Sequence, residues 1–255
     1  MSQRVMITAA ASGIGRHIAK AFHENGAKVH ICDVNEQALE AFREEFPEIG
    51  ASHVNVTSEA EIEEWFDDAL DDLGGLDVMV NNAGIKGPTA PVDEIDFDDW
   101  RECLAVGIDS YFLCARRAAP LLKAQKSGTI INLSSTAGLF GFGNRSPYAA
   151  AKWAVIGFTK SLAIELGPHN CTANAISPGV VRGERINRVV RGEAELRGVP
   201  LEVIEQQMVG GQSIMRMVEP TEVAELALFL ASPAAKMING QAIAVDGHTE
   251  TFHIR

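Results

Sequence analysis

Short apolar runs alternate with longer amphipathic stretches along almost the whole chain. The apolar runs have the length of β-strands, and they lie at residues 5–9, 28–32, 52–56, 76–80, 129–133, 171–176 and 241–246. Between them, helical periodicity covers residues 14–25, 36–46, 58–73, 97–123, 147–166 and 220–230. Nearly continuous apolar strands separated by helices are typical of a parallel sheet that is covered on both faces. The pattern therefore predicts one doubly wound α/β domain over residues 1–255.

One segment, residues 182–212, fits neither the strand pattern nor a regular succession of helix and loop. Long irregular insertions in compact domains tend to be lids or binding loops. We therefore expect this segment to form an irregular lid over a substrate site.

Composition narrows the possible functions. Of the 255 residues, 46% are hydrophobic and 22% are charged, which excludes intrinsic disorder and provides a core that needs neither disulfides nor a structural metal. A net charge of −12 argues against a nucleic-acid partner, because phosphate binding needs clustered cations. No apolar run approaches the ~20 residues that span a bilayer, and the N-terminal apolar run lacks a basic leader. We expect a cytoplasmic protein that has no membrane partner.

The four cysteines are Cys32, Cys103, Cys114 and Cys171. They are scattered, without a C-x-x-C pair and without histidines at the spacing of metal ligands. We expect them to pack in the core, and we expect no metal site.

The first candidate motif lies between the first predicted strand and the first predicted helix. It reads T-A-A-A-S-G-I-G, and its small residues would let the backbone approach a pyrophosphate at the helix N-terminus. A tight strand–helix turn that uses glycine for packing would show the same pattern. The candidate cofactor contacts in this motif are Thr8, Ser12, Gly13, Ile14 and Gly15.

Asp33 ends the second predicted strand, 18 residues after Gly15. A carboxylate at this point can accept hydrogen bonds from the 2′- and 3′-hydroxyl groups of a ribose. It would repel a 2′-phosphate, and the next residues, Val34, Asn35 and Glu36, supply no cation to offset that repulsion. We therefore predict NAD rather than NADP as the cofactor. A solvated aspartate that caps a turn is the alternative interpretation of Asp33.

The second motif, Asn81-Asn82-Ala83-Gly84, follows the fourth predicted strand. Side-chain amides followed by small residues at the carboxyl end of a strand suit the floor of a cofactor crevice. An ordinary Asn/Gly turn would have the same composition.

The third motif consists of Ser135, Tyr148 and Lys152. Tyr148 and Lys152 lie at positions i and i+4 of one predicted helix, so they project from the same face, and Ser135 closes the fifth predicted strand. A phenol exchanges protons poorly at neutral pH until a nearby cation favours its anion. Lys152 would supply that cation, and Ser135 would hydrogen-bond the substrate oxygen. The Tyr–Lys spacing is common by chance, and it gains weight from the two nucleotide motifs that precede it.

With these motifs in this order, the chain resembles the short-chain dehydrogenase/reductase family. The resemblance runs nearly end to end, and it also includes N-A-I-S-P-G at 174–179 and the closing G-Q-A-I-A-V-D-G. It implies a Rossmann fold with a seven-stranded parallel sheet, and a homotetramer as the assembled form. It implies that Tyr148 is the general acid/base, that Lys152 favours its anion and holds the nicotinamide ribose, and that Ser135 positions the carbonyl. The further cofactor contacts that it implies are Ile14, Asn55, Val56, Asn82, Ala83, Gly84, Tyr148, Lys152, Pro178, Gly179 and Val181.

Four positions depart from the family pattern. Ala9 replaces a usual glycine, a mild change if the turn has room for a methyl group. Asn55 stands where an aspartate commonly meets the adenine amino group, and Gly183 stands where a threonine often contacts the carboxamide. Gly107 is the most serious departure, because many relatives place there an asparagine that holds a kinked helix and a water feeding Lys152. Here a water alone or a different side chain would have to complete that relay.

Several cations near these motifs bear on the substrate. Lys86 follows N-N-A-G, Arg145 precedes Tyr148 by three residues, and the expected lid carries Arg185 among its five arginines. If these cations converge on the pocket, they would bind an anionic substrate. If they pair with the glutamates of the lid, they are solvated surface groups. A polyol or sugar-like alcohol and a β-ketoacyl thioester are the other substrate classes to consider.

The leading hypothesis is an NAD-dependent dehydrogenase that interconverts a secondary alcohol and a ketone. A 3-oxoacyl thioester reductase is an alternative, which Asp33 disfavours because that role usually draws on NADPH. A nucleotide-binding scaffold or sensor without turnover is a second alternative, which Gly107 keeps open. In this family an enoyl reductase generally has a wider spacing than the three residues between Tyr148 and Lys152.

Overall fold

One parallel sheet of seven strands forms the centre of the molecule. The computed structural model describes residues 2–249, apart from the side chains of Arg185 and Glu193. The strands are β1 (Arg4–Thr8), β2 (Lys28–Asp33), β3 (Gly50–His53), β4 (Val78–Asn81), β5 (Thr129–Leu133), β6 (Thr172–Pro178) and β7 (Ala242–Val245). Their order in the sheet is β3-β2-β1-β4-β5-β6-β7, which confirms the predicted fold class.

The α-helices of the described residues follow the strands in alternation. They are α1 (Gly13–Glu24), α2 (Glu36–Glu45), α3 (Glu59–Leu73), α4 (Phe97–Leu104), α5 (Ser110–Gln125), α6 (Ser146–Leu166), α7 (Glu184–Arg197), α8 (Leu201–Val209) and α9 (Pro220–Leu230). No helix in residues 2–249 is both long enough and apolar enough to cross a bilayer.

Alternate residues of the strands face two separate hydrophobic cores. Val5 and Ile7 of β1 belong to a core that they share with α1 and α9, whereas Met6 between them belongs to the core under α3, α5 and α6. A period of two places successive side chains on opposite faces of a sheet. The continuous apolar run in β1 is therefore explained by burial on both faces. All four cysteines are buried and unpaired, as expected.

The strand order reverses between β1 and β4, which are hydrogen-bonded neighbours. From β1 the chain moves outward to β2 and β3, and it then returns to start the other half of the sheet at β4. The loops at the carboxyl ends of these two strands diverge, and such a point is where open α/β sheets bind their ligands. The turn after Thr8 and the segment after Asn81 both lie at this point.

The predicted third strand, 52–56, is wrong in its position. The strand spans Gly50–His53, and Val54 and Val56 are buried in the following turn. In that turn the Asn55 side chain accepts hydrogen bonds from the backbone N–H of Thr57, at 3.1 Å, and from its hydroxyl, at 2.8 Å. The apolar alternation thus continues past the strand because the turn itself is packed against the core.

The expectation of irregular structure over 182–212 is wrong for most of that segment, since it contains α7 and α8. Both helices bury a small separate core made of Val190, Ala194, Ile204, Val209 and Met217. Apolar side chains are sparse here because the core is small, and this is why the helical periodicity was weak. Arg182, ahead of α7, pairs with Glu205 and Glu219 at 3.1 Å each, so this arginine holds the segment to its neighbours.

Candidate active site

The two predicted nucleotide motifs are joined by hydrogen bonds at the carboxyl ends of β1 and β4. The Thr8 hydroxyl accepts the backbone N–H groups of Asn82, at 2.9 Å, and Ala83, at 3.1 Å. The Asn82 amide donates to the carbonyl oxygens of Thr8, at 3.0 Å, and Ala9, at 2.9 Å. A Cβ on Gly15 would lie 2.6 Å from the Asn82 amide nitrogen. The motif therefore needs a glycine here so that α1 can approach β4.

The β1–α1 turn contains two residues in the left-handed region. Gly13 has φ +57°, which suits a glycine, and Ala9 has φ +51°. We expected the methyl group of Ala9 to matter only through the room available. The structure shows instead that Ala9 strains the backbone, because L-residues with a Cβ lose about 1 kcal/mol or more in this conformation. After the turn, Ser12 precedes α1 and Ile14 lies in its first turn, where free backbone N–H groups could meet a pyrophosphate.

Asp33 lies at the end of β2 with 8% of its surface exposed. One carboxylate oxygen accepts the Ala11 N–H at 3.1 Å, and the other accepts the Asn35 N–H at 3.0 Å. Each carboxylate oxygen can accept more than one hydrogen bond, so both retain capacity for a ribose hydroxyl. The carboxylate thus links the β1–α1 turn to the end of β2 and fixes its own orientation.

The remaining predicted cofactor contacts lie beside these elements and across the sheet. Asn55 is exposed and Val56 is buried in the turn after β3. Pro178 ends β6, and the N–H of Gly179 donates to the Val245 carbonyl at 2.9 Å. Val181 forms a parallel bridge with Val218 ahead of α9.

Gly183 is open to substitution. A Cβ there would meet nothing within 4 Å, and its φ of 171° is extended backbone that any residue adopts. The position where the family resemblance implies a threonine therefore has room for a side chain without strain.

Ser135, Tyr148 and Lys152 are held by β5 and α6. Ser135 follows β5, and its Oγ accepts the Ala137 N–H at 3.1 Å. Tyr148 is half-buried in the first turn of α6, and Lys152 is one turn further with 4% of its surface exposed. The Ser134 hydroxyl donates to the Lys152 carbonyl at 2.8 Å, which ties α6 to the end of β5.

Lys152 is a buried ammonium surrounded by uncharged groups. Its Nζ donates to the Leu133 carbonyl at 2.7 Å and to the Tyr111 hydroxyl at 3.3 Å, and it lies 5.9 Å from the ring centre of Tyr148. No carboxylate within the described residues forms an ion pair with it. Burial lowers the pKa of Lys152 to about 8, because the charged form is poorly solvated. A Cβ on Gly84 would lie 3.3 Å from this Nζ, which places the second nucleotide motif against the ammonium.

Tyr111 lies at Lys152 although the sequence motifs do not predict it as a site residue. This tyrosine is fully buried in α5, and its hydroxyl donates to the carbonyls of Ala83, at 3.0 Å, and Leu133, at 2.9 Å. A tyrosine at a core position of a helix looks like any other packing residue. Only its distance of four residues from the anomalous Gly107 could have drawn attention to it.

One of the three predicted substrate cations lies at Tyr148. The Arg145 guanidinium carbon is 5.4 Å from the ring centre of Tyr148 and 5.5 Å from that of Phe142. Its Nη2 donates to the Lys86 carbonyl at 2.6 Å and its Nη1 to the Thr89 hydroxyl at 3.4 Å. Lys86 is exposed and contributes its backbone to this arrangement, and the Arg185 side chain lies outside the described part of the chain.

Comparison with known proteins yields relatives over nearly the full length. The sequence profile of a family described as Enoyl-(Acyl carrier protein) reductase matches residues 8–248. The D-beta-hydroxybutyrate dehydrogenase of Cupriavidus necator is 34% identical over 249 residues, which are 95% of this chain and 95% of that protein. The cis-4-hydroxycyclohexanecarboxylate dehydrogenase of Sinomonas cyclohexanicum is 36% identical over 245 residues, which are 95% of this chain and 94% of that protein.

Two solved structures show the same architecture. A xylitol dehydrogenase with bound NAD+ superposes with a TM-score of 0.88 at 29% identity, covering 96% of this chain and 98% of the other. An actinorhodin polyketide ketoreductase with NADPH superposes with a TM-score of 0.91 at 30% identity, covering 98% of both chains. With the sequence motifs in place at the point where the strand order reverses, these matches establish that the chain belongs to the short-chain dehydrogenase/reductase family of oxidoreductases.

Proposed function

We propose that this protein is an NAD-dependent dehydrogenase that interconverts a secondary alcohol and a ketone, with Tyr148 as the general acid/base. The observation that carries the proposal is the buried ammonium of Lys152 beside the Tyr148 ring. A buried lysine without an ion-pair partner does not stabilise a fold, whereas a perturbed lysine beside a predicted ligand motif, here the one that ends at Gly84, is typical of an active site.

The residues at the crevice fit a nicotinamide dinucleotide. The glycine at position 15 brings the N-terminus of α1 close to β4, and that N-terminus offers N–H groups to a pyrophosphate. Asp33 is fixed by two backbone N–H groups and can accept both ribose hydroxyls, which favours NAD over NADP. The contacts assigned here are those of the sequence analysis, from Thr8 to Val181. The bound nicotinamide would supply the hydride acceptor for alcohol oxidation.

The chain's own residues would handle the proton. In the oxidative direction, the Tyr148 phenolate takes the proton of the substrate hydroxyl, and the Lys152 ammonium stabilises the phenolate while it is charged. The Ser135 hydroxyl donates a hydrogen bond to the substrate oxygen and keeps it at Tyr148. In the reductive direction, Tyr148 returns the proton to the oxygen of the former carbonyl.

We further propose that the substrate carries an anionic group, a carboxylate being the best fit. Arg145 is held over the Tyr148 ring by stacking and by the Lys86 carbonyl, so its charge lies at the reaction site. A guanidinium can bind a carboxylate through two parallel hydrogen bonds. Two of the similar proteins are named for substrates that combine a hydroxyl group with a carboxylate. The helices α7 and α8 would cover this site as its lid.

The experiment compares two substrates and two variants. A 3-hydroxycarboxylate and the amide of the same carbon skeleton are assayed for NADH formation with the wild type, Arg145→Met and Lys86→Met. We expect Arg145→Met to raise KM for the carboxylate about 10- to 100-fold, because its charge-assisted hydrogen bonding is lost. KM for the amide should stay close to the wild-type value. Lys86→Met is the control for the loss of an exposed cation near the site, and we expect little change.

Three outcomes would contradict these proposals in different ways. A preference for polyols over the carboxylate would refute the proposal of an anionic substrate and leave the proposal of a dehydrogenase standing. Turnover only with NADPH and a 3-oxoacyl thioester would favour the reductase alternative, which the similarity to a polyketide ketoreductase with NADPH supports. Cofactor binding with no turnover of any alcohol or ketone would refute the dehydrogenase and favour the alternative of a nucleotide-binding scaffold or sensor.

A further inference from the structure

Tyr111 places a hydroxyl group against the ammonium of Lys152 on the side away from solvent. The tyrosine is the second residue of α5 and is fully buried. Its oxygen is 3.3 Å from Lys152 Nζ, 2.9 Å from the Leu133 carbonyl oxygen and 3.0 Å from the Ala83 carbonyl oxygen. This one atom therefore touches the ends of β5 and β4 and the side chain from α6.

The partners decide the direction of each hydrogen bond. Carbonyl oxygens only accept, so the single phenolic proton of Tyr111 is shared between the Leu133 and Ala83 carbonyls. Its lone pairs are left for Lys152, whose ammonium only donates. Burial raises the pKa of Tyr111, so the phenol stays protonated and acts as a neutral acceptor.

Gly107 explains why Tyr111 can reach Lys152. It lies in a π-helical turn, Ala105–Asp109, which separates α4 from α5 where the sequence predicts one helix over 97–123. A Cβ at Gly107 would lie 2.9 Å from the Cβ of Ala151, the residue before Lys152. Only a glycine lets this turn come so close to α6, and Tyr111 follows four residues later on the same side of the helix.

We propose that Tyr111 is a positioning residue for Lys152. Its phenol oxygen holds the ammonium at the distance from Tyr148 that the reaction needs. It does not pass protons to solvent, because its own proton faces two backbone carbonyls, which accept a hydrogen bond but do not take up the proton itself. This role rests on the proposed Ser–Tyr–Lys reaction.

The other groups that face the Lys152 ammonium come from four elements. They are the Cys103 thiol of α4, the Leu133 carbonyl of β5, Gly84 after β4, and Tyr148 on α6 itself, with Arg145 beyond the Tyr148 ring. Burial raises the pKa of Cys103, so the thiol is neutral near pH 7. Tyr111 is thus a direct acceptor whose loss should change the proton affinity of Lys152 without a change of net charge nearby.

The main experiment measures the Lys152 pKa by NMR of protein labelled with 13Cε-lysine, with Lys152→Met to assign the signal. We expect Tyr111→Phe to lower this pKa by about one unit, because the ammonium loses an acceptor that the neutral amine needs less. Thr159→Val is the matched control, since it removes another buried hydroxyl from the same layer, two turns along α6 from Lys152. A purely structural role would lower the melting temperature in both variants and leave the Lys152 pKa unchanged, which would overturn the proposal.

A second measurement does not require the Tyr111→Phe variant to fold. The chain has two tyrosines, so 3-fluorotyrosine in the Tyr148→Phe background labels Tyr111 alone. Its 19F signal should titrate with the pKa of Lys152 and should lose that titration in Lys152→Met. A 19F chemical shift that does not change with the protonation of Lys152 would refute the contact between Tyr111 and Lys152.

Activity provides the link to the reaction. We expect the basic limb of the kcat/KM profile of Tyr111→Phe to move to lower pH by the same amount as the Lys152 pKa, with KM for NAD nearly unchanged. If the wild type turns over no alcohol, the proposed function fails, and the two NMR titrations still decide whether Tyr111 holds Lys152.

Discussion

Two buried charges lie in the proposed site, Asp33 at what we call its nucleotide end and Lys152 at what we call its catalytic end, and they differ in what they do for the fold. Asp33 accepts the N–H groups of Ala11 and Asn35, so its charge organises two turns. Lys152 donates to the Leu133 carbonyl and to the Tyr111 hydroxyl. These two groups are already hydrogen-bonded to each other without the lysine. The Asp33 charge gives the buried N–H of Ala11 and the partly buried N–H of Asn35 an acceptor, whereas the Lys152 charge adds an ion that the fold does not need.

Within one site, Asp33 thus contributes to the stability of the fold, whereas Lys152 contributes to the proposed chemistry and not to stability. At the nucleotide end, the residues that would meet the cofactor also hold the sheet and its loops together. At the catalytic end, the protein keeps a poorly solvated ammonium at the expense of stability. The two ends should therefore respond to substitution with opposite signs in the free energy of unfolding.

The largest effect is expected for Lys152→Met, which replaces the ammonium by an apolar side chain of similar length. The pKa of about 8 in the folded protein, against an ordinary 10.5, corresponds to about 3 kcal/mol of destabilisation. We expect the variant to be more stable than the wild type at pH 7 by up to this amount while losing its activity. Denaturant unfolding measures the difference, and Lys160→Met, an exposed lysine on the same helix, is the matched control.

The pH dependence of this gain has a definite direction. Below pH 8 the lysine is charged in both the folded and the unfolded chain, so the full destabilisation is present. Between pH 8 and 10.5 only the unfolded chain holds the proton, and the destabilisation fades as the pH rises. A gain that stays constant from pH 7 to pH 10.5 would contradict the assignment of this effect to the Lys152 charge.

The opposite sign is expected for Asp33→Ala. The buried N–H of Ala11 and the partly buried N–H of Asn35 lose their acceptor, which should lower the free energy of unfolding by about 2 kcal/mol. NAD binding should weaken about 100-fold, because two charge-assisted hydrogen bonds to the ribose are lost, while NADP binding should weaken less. Asp33→Asn keeps an acceptor oxygen, so its free energy of unfolding and its NAD affinity should lie between those of the wild type and Asp33→Ala. Equal weakening of NAD and NADP would show that Asp33 is only a structural cap.

Gly107→Ala sharpens the comparison at the catalytic end. The new methyl group would meet the Ala151 Cβ at 2.9 Å, so the π-helical turn and α6 must separate, at a cost of about 1–2 kcal/mol. We also expect kcat/KM to fall, because Tyr111 would move away from Lys152. Gly157→Ala is the matched control, since it lies on α6 with nothing within 4 Å of its Cβ and should stabilise the helix slightly. A Gly107→Ala protein as stable as the wild type would refute the close contact.

Ala9→Gly is expected to give the smallest effect, at the nucleotide end. Ala9 has φ +51°, and glycine relieves that strain by about 1 kcal/mol, partly offset by the greater freedom of the unfolded chain. The reciprocal variant, Gly13→Ala at φ +57°, should be destabilised by a similar amount, although a Cβ there has open space. If thermal unfolding shifts the two variants in the same direction, backbone strain is not the cause.

The structure brings the two predicted nucleotide motifs together, and this proximity follows from the order of elements along the chain. Thr8, Gly15 and Asn82 are close in space because β1 and β4 are neighbours, and the order of strands and helices along the chain implies that arrangement. The parallel sheet was predictable because its inner strands are apolar on both faces. The third strand was misplaced because burial in a turn and burial in a strand give the same apolar pattern.

The surroundings of Lys152 could not be predicted from sequence. Tyr111, Gly84 and Leu133 come from three elements, and each looks like an ordinary packing residue in its own segment. Their meeting point depends on how closely the turn at Gly107 approaches α6. The helices α7 and α8 escaped prediction because their apolar residues cover a core of only a few side chains.

The most direct test of the central claim is the turnover of Tyr148→Phe measured beside its cofactor binding. Removal of the general acid/base should reduce kcat for oxidation of a secondary alcohol with NAD by about 10²- to 10⁴-fold, because no other described group at the site combines a proton-exchanging hydroxyl with the Lys152 ammonium. NADH affinity should stay within about threefold, since the phenol contributes little to holding the dinucleotide. Turnover that survives in Tyr148→Phe at the wild-type rate would contradict the account.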